Sequence, residues 1–273
     1  MPTRPIPSTG EALPTVGCGT YIGFDVAPGS PGAQQLPAVL ETLFAAGGSV
    51  IDSSPMYGRA EAVTGQLLAT AQNRDKAFIA TKVWTSGRGA GIGQMEQSFE
   101  RLRTARIDLM QVHNLVDWRT HLATLRGWKE AGRVRYIGIT HYTASAYAEV
   151  EAVLRAEKLD FLQINYALDD RTAADRLLPL AQERGVAVIV NQPFGGGGLL
   201  RKLRSQPLPT WASEIDCTSW AQLLLKFTLA HPAVTCVIPG TSRAEHMRDN
   251  VGAGNGRIPD LEFWRTHVGL VGG

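Results

Sequence analysis

Short apolar runs alternate along this chain with longer segments whose apolar residues recur at helical spacing. The short runs predict strands and the longer segments predict helices. The predicted strands cover residues 16–20, 50–52, 77–82, 107–113, 136–140, 161–164, 186–190 and 234–238. The predicted helices lie near residues 33–46, 62–68, 92–103, 122–132, 143–156, 172–184, 219–231 and 243–251, with an irregular stretch at 194–218.

Strands that alternate with helices predict a parallel sheet. Because an open doubly wound sheet usually has fewer strands, eight strand–helix units favour an α/β fold of the closed (β/α)8 TIM barrel type. A turn at residues 8–11 predicts a short N-terminal β-hairpin. No change in composition marks a linker, so we expect one barrel domain over residues 1–273.

Three neighbouring strands end on polar residues that can carry chemistry. Asp52, Lys82 and His113 close the second, third and fourth predicted strands, and Tyr57 follows Asp52 in a polar turn. Active sites of (β/α)8 barrels lie at the C-terminal ends of the strands. We therefore expect these four side chains at one rim. Each residue alone has an ordinary structural explanation, such as a helix cap or a packing residue, so their combination is what indicates a site.

The overall composition argues against several classes of partner. The formal net charge is +2, and the Lys and Arg residues are scattered, which does not favour nucleic acid. No apolar run approaches the roughly 20 residues of a membrane span, so we expect no membrane partner. Three widely spaced cysteines without a C-x-x-C motif, and a start unlike a signal peptide, predict a cytoplasmic protein.

Common ligand-binding and catalytic motifs are missing from the sequence. There is no Walker phosphate loop, no nucleophile elbow and no Cys/His cluster with metal spacing, so we expect no metal. Residues 87–93 are rich in glycine, but the third glycine of a dinucleotide-binding fingerprint is misplaced in every register. We interpret this segment as a flexible loop.

The strand-end residues resemble those of the aldo-keto reductases. Asp52 precedes Tyr57 by five residues in I-D-S-S-P-M-Y-G, Lys82 lies in T-K-V-W, and His113 lies in Q-V-H-N. They match the family's Asp-Tyr-Lys-His tetrad in order and spacing, and the resemblance extends to the I-P-G-T-S segment at residues 238–242. It implies a (β/α)8 barrel that binds NAD(P)H without a Rossmann fold and reduces an aldehyde or ketone to an alcohol.

The tetrad residues have distinct expected roles in such a reduction. Tyr57 would be the general acid that protonates the developing alkoxide. A free tyrosine has a pKa near 10, and the ammonium of Lys82 is expected to lower it. Asp52 would hold Lys82 charged and oriented, and His113 would position the substrate oxygen or assist proton transfer. The nicotinamide would supply the hydride.

The resemblance also implies a set of cofactor contacts. His141 stands where relatives have Asn, and Asn191 stands where many have a stacked tyrosine. The glycine run at residues 195–198 is expected to be either a backbone cradle for the pyrophosphate or a simple hinge. The full expected set is Gly19, Thr20, Tyr21, Asp52, Thr140, His141, Gln163, Asn191, Phe194, Gly195, Gly196, Gly240, Thr241, Ser242, Arg243, His246 and Asn250.

Arg243 lies at a predicted helix N-terminus, a combination that suits the 2′-phosphate of NADPH. NADPH is therefore the expected cofactor, with NADH as the alternative. The expected partner is a small-molecule carbonyl substrate, and the chain is expected to be a monomer or a small homo-oligomer. The alternative to an enzyme is a cofactor-binding sensor or regulatory subunit with little turnover. The expected substrate contacts are Tyr21, Tyr57, Trp84, His113 and Asn114.

Overall fold

The computed structural model of the protein describes residues 1–267 and 269. The strands are β1 (Thr3–Pro5), β2 (Ala12–Pro14), β3 (Cys18–Gly19), β4 (Val50–Asp52), β5 (Phe78–Val83), β6 (Ile107–His113), β7 (Val134–Thr140), β8 (Phe161–Asn165), β9 (Ala187–Asn191) and β10 (Val234–Val237). The helices are α1 (Pro31–Ala45), α2 (Ala60–Thr70), α3 (Arg88–Leu102), α4 (Trp118–Glu130), α5 (Tyr147–Ala156), α6 (Leu177–Glu183), α7 (Gly198–Leu203), α8 (Trp220–Ala230), α9 (Ala244–Gly252) and α10 (Leu261–His267).

Strands β3 to β10 form one parallel sheet in sequence order, with helices between the strands. Bridges between Val16 and Val237 and between Gly19 and Gly240 join the first strand of this sheet to the last. The Gly17 N–H donates to the carbonyl oxygen of Val237 at 2.8 Å across the same seam. These contacts close the sheet, and the predicted (β/α)8 barrel is confirmed.

Side chains alternate along each strand between the barrel interior and the layer of helices. On β6, Met110 and Val112 belong to the apolar core between sheet and helices, whereas Leu109 belongs to a separate core inside the barrel. The period of two therefore also places Gln111 and His113 in the interior. The same alternation lets one strand both pack against helices and supply functional side chains.

The N-terminal end of the barrel interior is apolar and closed. The rings of Phe78, Tyr136 and Phe161 contact one another there. Ile6 and Leu13 of the antiparallel hairpin β1–β2 are buried in the same core, so the hairpin plugs this end. The predicted hairpin is confirmed, and the open end of the barrel is the one at which the strands finish.

The glycine-rich segment at residues 87–93 is not a loop, because helix α3 begins at Arg88. Gly91 of α3 lies so close to the His121 ring of α4 that a Cβ at this position would overlap it. His121 Nε2 is in turn fixed 2.7 Å from the carbonyl oxygen of Thr85. The glycine allows close packing of α3 on α4, and the prediction of a flexible loop is wrong.

The stretch at residues 194–218, predicted to be irregular, also contains regular structure. It holds helix α7 and 3₁₀ turns at Gly195–Gly197 and Thr210–Ile215. Leu199 and Leu203 of α7 are buried, and this burial stabilises a helix too short to form alone. The predicted domain of residues 1–273 includes residues 268 and 270–273, which lie outside the described residues, and the domain assignment stays a prediction. None of the described helices is long and apolar enough to cross a membrane.

Candidate active site

Lys82 and Asp52 form a buried ion pair at the C-terminal end of the barrel interior. Lys82 Nζ lies 2.7 Å from Asp52 Oδ2, and the two side chains are 1% and 3% exposed. Lys82 Nζ also donates to the carbonyl oxygen of Ser53 at 2.7 Å. Burial, the largest influence, opposes the charge, yet Asp52 and Tyr57 hold the pKa of Lys82 above its ordinary value. The lysine is therefore a fixed cation with one N–H left to donate.

Tyr57 lies beside this ion pair, with Lys82 Nζ 5.2 Å from the centroid of its ring. Burial raises the pKa of Tyr57, and the charge of Lys82 and its hydrogen bond to the phenol lower it without overcoming the effect of burial. Lys82 thus acts in the expected direction, but burial outweighs it, and the net pKa of Tyr57 lies above its ordinary value. The phenol carries its proton at neutral pH, which is the form a general acid needs.

His113 faces Tyr57 across the mouth of the barrel, with the two ring centroids 6.1 Å apart and the planes nearly perpendicular. The imidazole is 6% exposed. Burial, together with the charges of Lys82 and His141, lowers the pKa of His113 to about 3. His113 is therefore neutral near pH 7, and it can offer a hydrogen bond but not a positive charge.

Ser54 orients the His113 ring, a role that the sequence did not suggest. Its hydroxyl oxygen lies 3.2 Å from His113 Nδ1 and accepts the N–H of Met56 at 3.4 Å. When Ser54 donates its own proton to Nδ1, the single imidazole proton resides on Nε2. Nε2 can then donate to a carbonyl oxygen at the mouth. The only sequence signal was that Ser54 follows Asp52 by two positions in the same turn.

Two glutamines extend the polar network across the barrel interior. Gln163 Nε2 donates to Asp52 Oδ2 at 3.2 Å. Gln111 Nε2 lies 3.0 Å from Gln163 Oε1 and 3.5 Å from Asp52 Oδ1. Gln163 was predicted as a cofactor contact, and it keeps one N–H and one lone pair for a carboxamide. Gln111 was missed, because it lies within an apolar strand rather than at its end.

Exposed apolar side chains lie around Tyr57 and His113. Tyr21 lies 5.0 Å from Tyr57 between ring centroids, and Trp84 lies 6.4 Å from His113. The predicted contact Asn114 is partly buried, and its Oδ1 has no hydrogen-bond partner. Within residues 1–267 and 269, the large apolar residues that are exposed all follow the C-terminal ends of barrel strands; they are Tyr21, Ile22, Met56, Trp84 and Tyr142.

The predicted nicotinamide contacts lie at the ends of β7, β8 and β9. Thr140 is buried, and Asn191 Nδ2 donates to the carbonyl oxygen of His141 at 3.4 Å. The Oδ1 atom of Asn191 is buried without a partner. His141 Nδ1 accepts the backbone N–H of Tyr142 and of Thr143, so this ring is turned toward its own loop. Asn191 thus keeps an unpaired acceptor, whereas His141 Nδ1 is already engaged.

The predicted adenosine contacts lie between β10 and α9. Gly240 is bridged to Gly19, and Thr241 Oγ1 accepts the backbone N–H of Arg243 at 3.1 Å. The guanidinium of Arg243 is paired with the carboxylate of Glu245 in the first turn of α9. Of the remaining predicted contacts in this region, Asn250 is buried and His246 is exposed.

The glycine run before α7 contains three consecutive left-handed residues, Gly195–Gly197, with φ of 57°, 61° and 85°. The N–H groups of Gly195 and Gly197 donate to the carbonyl oxygens of Gln192 and Phe194 at 2.9 Å, so they are already engaged. The guanidinium of Arg201 lies against Gly197, within 3.3 Å of where a Cβ would be. Arg201 therefore adds a cation that no sequence motif indicated, although it follows the glycines within one helical turn.

Comparison with known proteins agrees with this arrangement. Residues 16–266 match the sequence profile described as the Aldo/keto reductase family. The chain belongs to this family. It is 26% identical to the aldo-keto reductase str7 of Strobilurus tenacellus over 261 residues, which cover 82% of this chain and 77% of the relative. It is also 28% identical to the uncharacterized oxidoreductase YrpG of Bacillus subtilis (strain 168) over 239 residues, which cover 72% and 73% of the two chains.

A solved structure extends the comparison from sequence to fold. The crystal structure of an aldo/keto reductase from Klebsiella pneumoniae in complex with NADP and acetate superposes with a TM-score of 0.82. The two sequences are 25% identical, and the match covers 98% of this chain and 95% of the other. Family membership supports an oxidoreductase enzyme and carbonyl reduction as its general chemistry. Among the described residues, no group of three or more His, Cys, Asp or Glu is arranged to hold a metal ion.

Proposed function

We propose that this protein reduces an aldehyde or ketone to an alcohol with NADPH, and that Tyr57 donates the proton. The observation that carries the proposal is the buried Lys82–Asp52 ion pair beside a protonated, half-buried Tyr57. A structural ion pair alone would not need a phenol and a neutral imidazole at the same opening. The combination supplies a proton donor, a cation that stabilises the donor's conjugate base and a second hydrogen-bond donor.

The chain's own residues have separate tasks in this reaction. The substrate carbonyl oxygen accepts hydrogen bonds from the Tyr57 hydroxyl and from His113 Nε2. As negative charge develops on this oxygen, the proton of Tyr57 moves to it, and the remaining N–H of Lys82 stabilises the phenolate that is left. Asp52 keeps Lys82 charged and directed. When bound, NADPH supplies a hydride to the carbonyl carbon.

The residues present fit a nicotinamide dinucleotide. The unpaired acceptor Asn191 Oδ1 is buried beside the position proposed for the nicotinamide, whose carboxamide carries N–H donors. Arg201 lies on the glycine run and Arg243 at the start of α9, so cations are available for the pyrophosphate and for the 2′-phosphate. The Klebsiella pneumoniae relative was crystallised with NADP, which supports the choice of NADPH.

The rim favours apolar or aromatic substrates. Tyr21 is 61% exposed next to Tyr57, and Trp84 is 42% exposed next to His113. Exposed aromatic surface of this kind is stabilised when an apolar ligand covers it. The Oδ1 of Asn114 is buried without a hydrogen-bond partner in the same region. We therefore expect a carbonyl compound with an apolar or aromatic body.

The proposal is tested by replacing Tyr57 with Phe. The variant should lose between about 10²- and 10⁴-fold in carbonyl-dependent NADPH oxidation, the range for a general acid, while its NADPH dissociation constant stays unchanged. Tyr136→Phe is a matched control, because this phenol lies at the closed end of the barrel and donates to Glu11. Unchanged turnover in Tyr57→Phe would remove Tyr57 from its role. Tight NADPH binding by the native protein without turnover of any aldehyde, ketone, ketosugar or quinone would favour the sensor alternative.

A further inference from the structure

Gln111 is a polar residue at a position that apolar residues usually fill. It lies on β6 inside the barrel and is fully buried. Leu109, two residues earlier on the same face, belongs to the apolar core of the barrel. The Oε1 atom of Gln111 has no hydrogen-bond partner, and an unpaired buried acceptor disfavours folding. Packing therefore does not account for an amide here.

The hydrogen bonds made by Gln111 Nε2 explain why an amide occupies this position. It lies 3.0 Å from Gln163 Oε1 and 3.5 Å from Asp52 Oδ1. Gln163 Nε2 donates to the other carboxylate oxygen, Asp52 Oδ2, at 3.2 Å. The three side chains thus form a closed triangle of hydrogen bonds, and each one restricts the rotamers of the other two. Asp52 Oδ2 is also the oxygen that binds Lys82.

We propose that Gln111 is a positioning residue that couples the cofactor's carboxamide site to the proton-donor site. One amide fixes Gln163, a proposed carboxamide contact, and also Asp52, which holds the cation beside Tyr57. This inference rests on the proposed function. Gln111 itself touches neither cofactor nor substrate and acts only through its two partners.

The charges around Tyr57 determine in which direction its pKa shifts when the hydrogen bond from Gln111 to Asp52 is lost. The groups that face Tyr57 are Lys82 of β5, Asp52 of β4, the neutral His113 of β6 and the phenol of Tyr21. The negative charge of Asp52 raises the pKa of Tyr57. A hydrogen bond from Gln111 to Asp52 weakens that field. Without this bond, the pKa of Tyr57 should rise further, and Gln163 should lose its fixed orientation.

The test replaces Gln111 with Met, which has a similar volume and no N–H donor. The NADPH dissociation constant, measured by quenching of protein fluorescence, should rise about 3- to 10-fold as an oriented hydrogen-bond partner is lost. The alkaline limb of the kcat profile for carbonyl reduction should move to higher pH by roughly half a unit. Met110→Leu is the matched control, because Met110 is the neighbouring buried residue on the outer face of β6. It should change neither quantity.

A double mutant separates coupling from general damage. If Gln111 acts through Gln163, Gln111→Met should have no further effect on NADPH binding in a Gln163→Met background. Equal effects in both backgrounds would overturn the proposal, as would an unchanged dissociation constant and pH limb in Gln111→Met. If Gln111→Met does not fold, Gln111→Asn keeps the amide but withdraws it by one methylene, and it should show the same losses. The binding measurement needs no turnover, so it remains decisive even if the proposed reaction is not observed.

Discussion

The guanidinium of Arg243 is paired with the carboxylate of Glu245 at the first turn of α9. Both side chains are more than half exposed, and Glu245 occupies the region where Arg243 is proposed to bind the 2′-phosphate of NADPH. A phosphate that binds Arg243 must compete with this carboxylate. We therefore expect both residues, and not the arginine alone, to influence the preference for NADPH over NADH.

Replacement of Glu245 by Gln should strengthen NADPH binding relative to NADH. Because the pair is exposed and screened, the expected change is about 2- to 5-fold, which corresponds to less than about 1 kcal/mol. Dissociation constants for both cofactors at low ionic strength measure the effect. Glu262→Gln removes a similarly exposed ion pair, with Arg265 on α10, and should leave the ratio unchanged. An equal change for NADPH and NADH in Glu245→Gln would contradict the assignment.

The neutral, buried His113 makes the fold sensitive to acid. Its pKa is lowered from 6.5 to about 3, so below pH 6.5 the unfolded chain binds a proton that the folded chain does not. Stability is therefore lost as the pH falls from about 6.5 toward 3. Between pH 7 and 4.5 the native protein should lose roughly 1–3 kcal/mol more than His113→Asn in urea unfolding. Equal losses in the two proteins would show that His113 does not titrate in this way.

Removing one partner of the Lys82–Asp52 pair should destabilise the fold more than removing both charges. Lys82→Met leaves the buried Asp52 carboxylate without its cation, and the free energy of unfolding should fall by about 3–5 kcal/mol. The double variant Lys82→Met, Asp52→Asn removes both charges and should recover a large part of this loss. Both variants should be inactive. A double variant less stable than Lys82→Met would show that the charges are not the main interaction.

The barrel could be predicted from the sequence because short apolar runs for its strands and helical spacing of apolar residues for its helices are both strong signals. Apolar runs marked the strands, and polar residues at the ends of three of them located Asp52, Lys82 and His113. Residues whose role depends on tertiary contacts carried no such signal. Gly91 lets α3 pack closely on His121, and Ser54 matters because the fold brings it to His113. These contacts join residues distant in sequence, so local pattern could not predict them.

The direction of the net pKa shift of Tyr57 is a second property that the sequence alone could not predict. The sequence indicated a lysine near the phenol, and the contribution of Lys82 does lower this pKa. The sequence could not show how deeply the phenol would be buried, and burial is the larger influence. The sign of the shift depends on the difference between two opposing effects, only one of which has a sequence motif.

Ile22 has a strained backbone at the rim of the barrel. Its φ is 62°, in the left-handed region that β-branched residues avoid, and its side chain is 72% exposed. This conformation costs on the order of 1–2 kcal/mol, and so exposed a side chain regains little of that by burial. We therefore expect this conformation to serve the site, because the loop after β3 carries Tyr21 on one side of Ile22 and packs Gly23 against Thr241 on the other.

Ile22→Gly should stabilise the protein and weaken its activity together. Glycine removes the strain but gains freedom in the unfolded chain, so we expect a net increase of about 0.5–1 kcal/mol in the free energy of unfolding. The KM for an apolar carbonyl should rise, because apolar surface at the rim is lost. Gln72→Gly, at another left-handed and exposed position after α2, should stabilise without a change in KM. A purely structural role for Ile22 predicts a gain in stability with no change in KM, so a stabilised Ile22→Gly with native KM would exclude a contact with substrate.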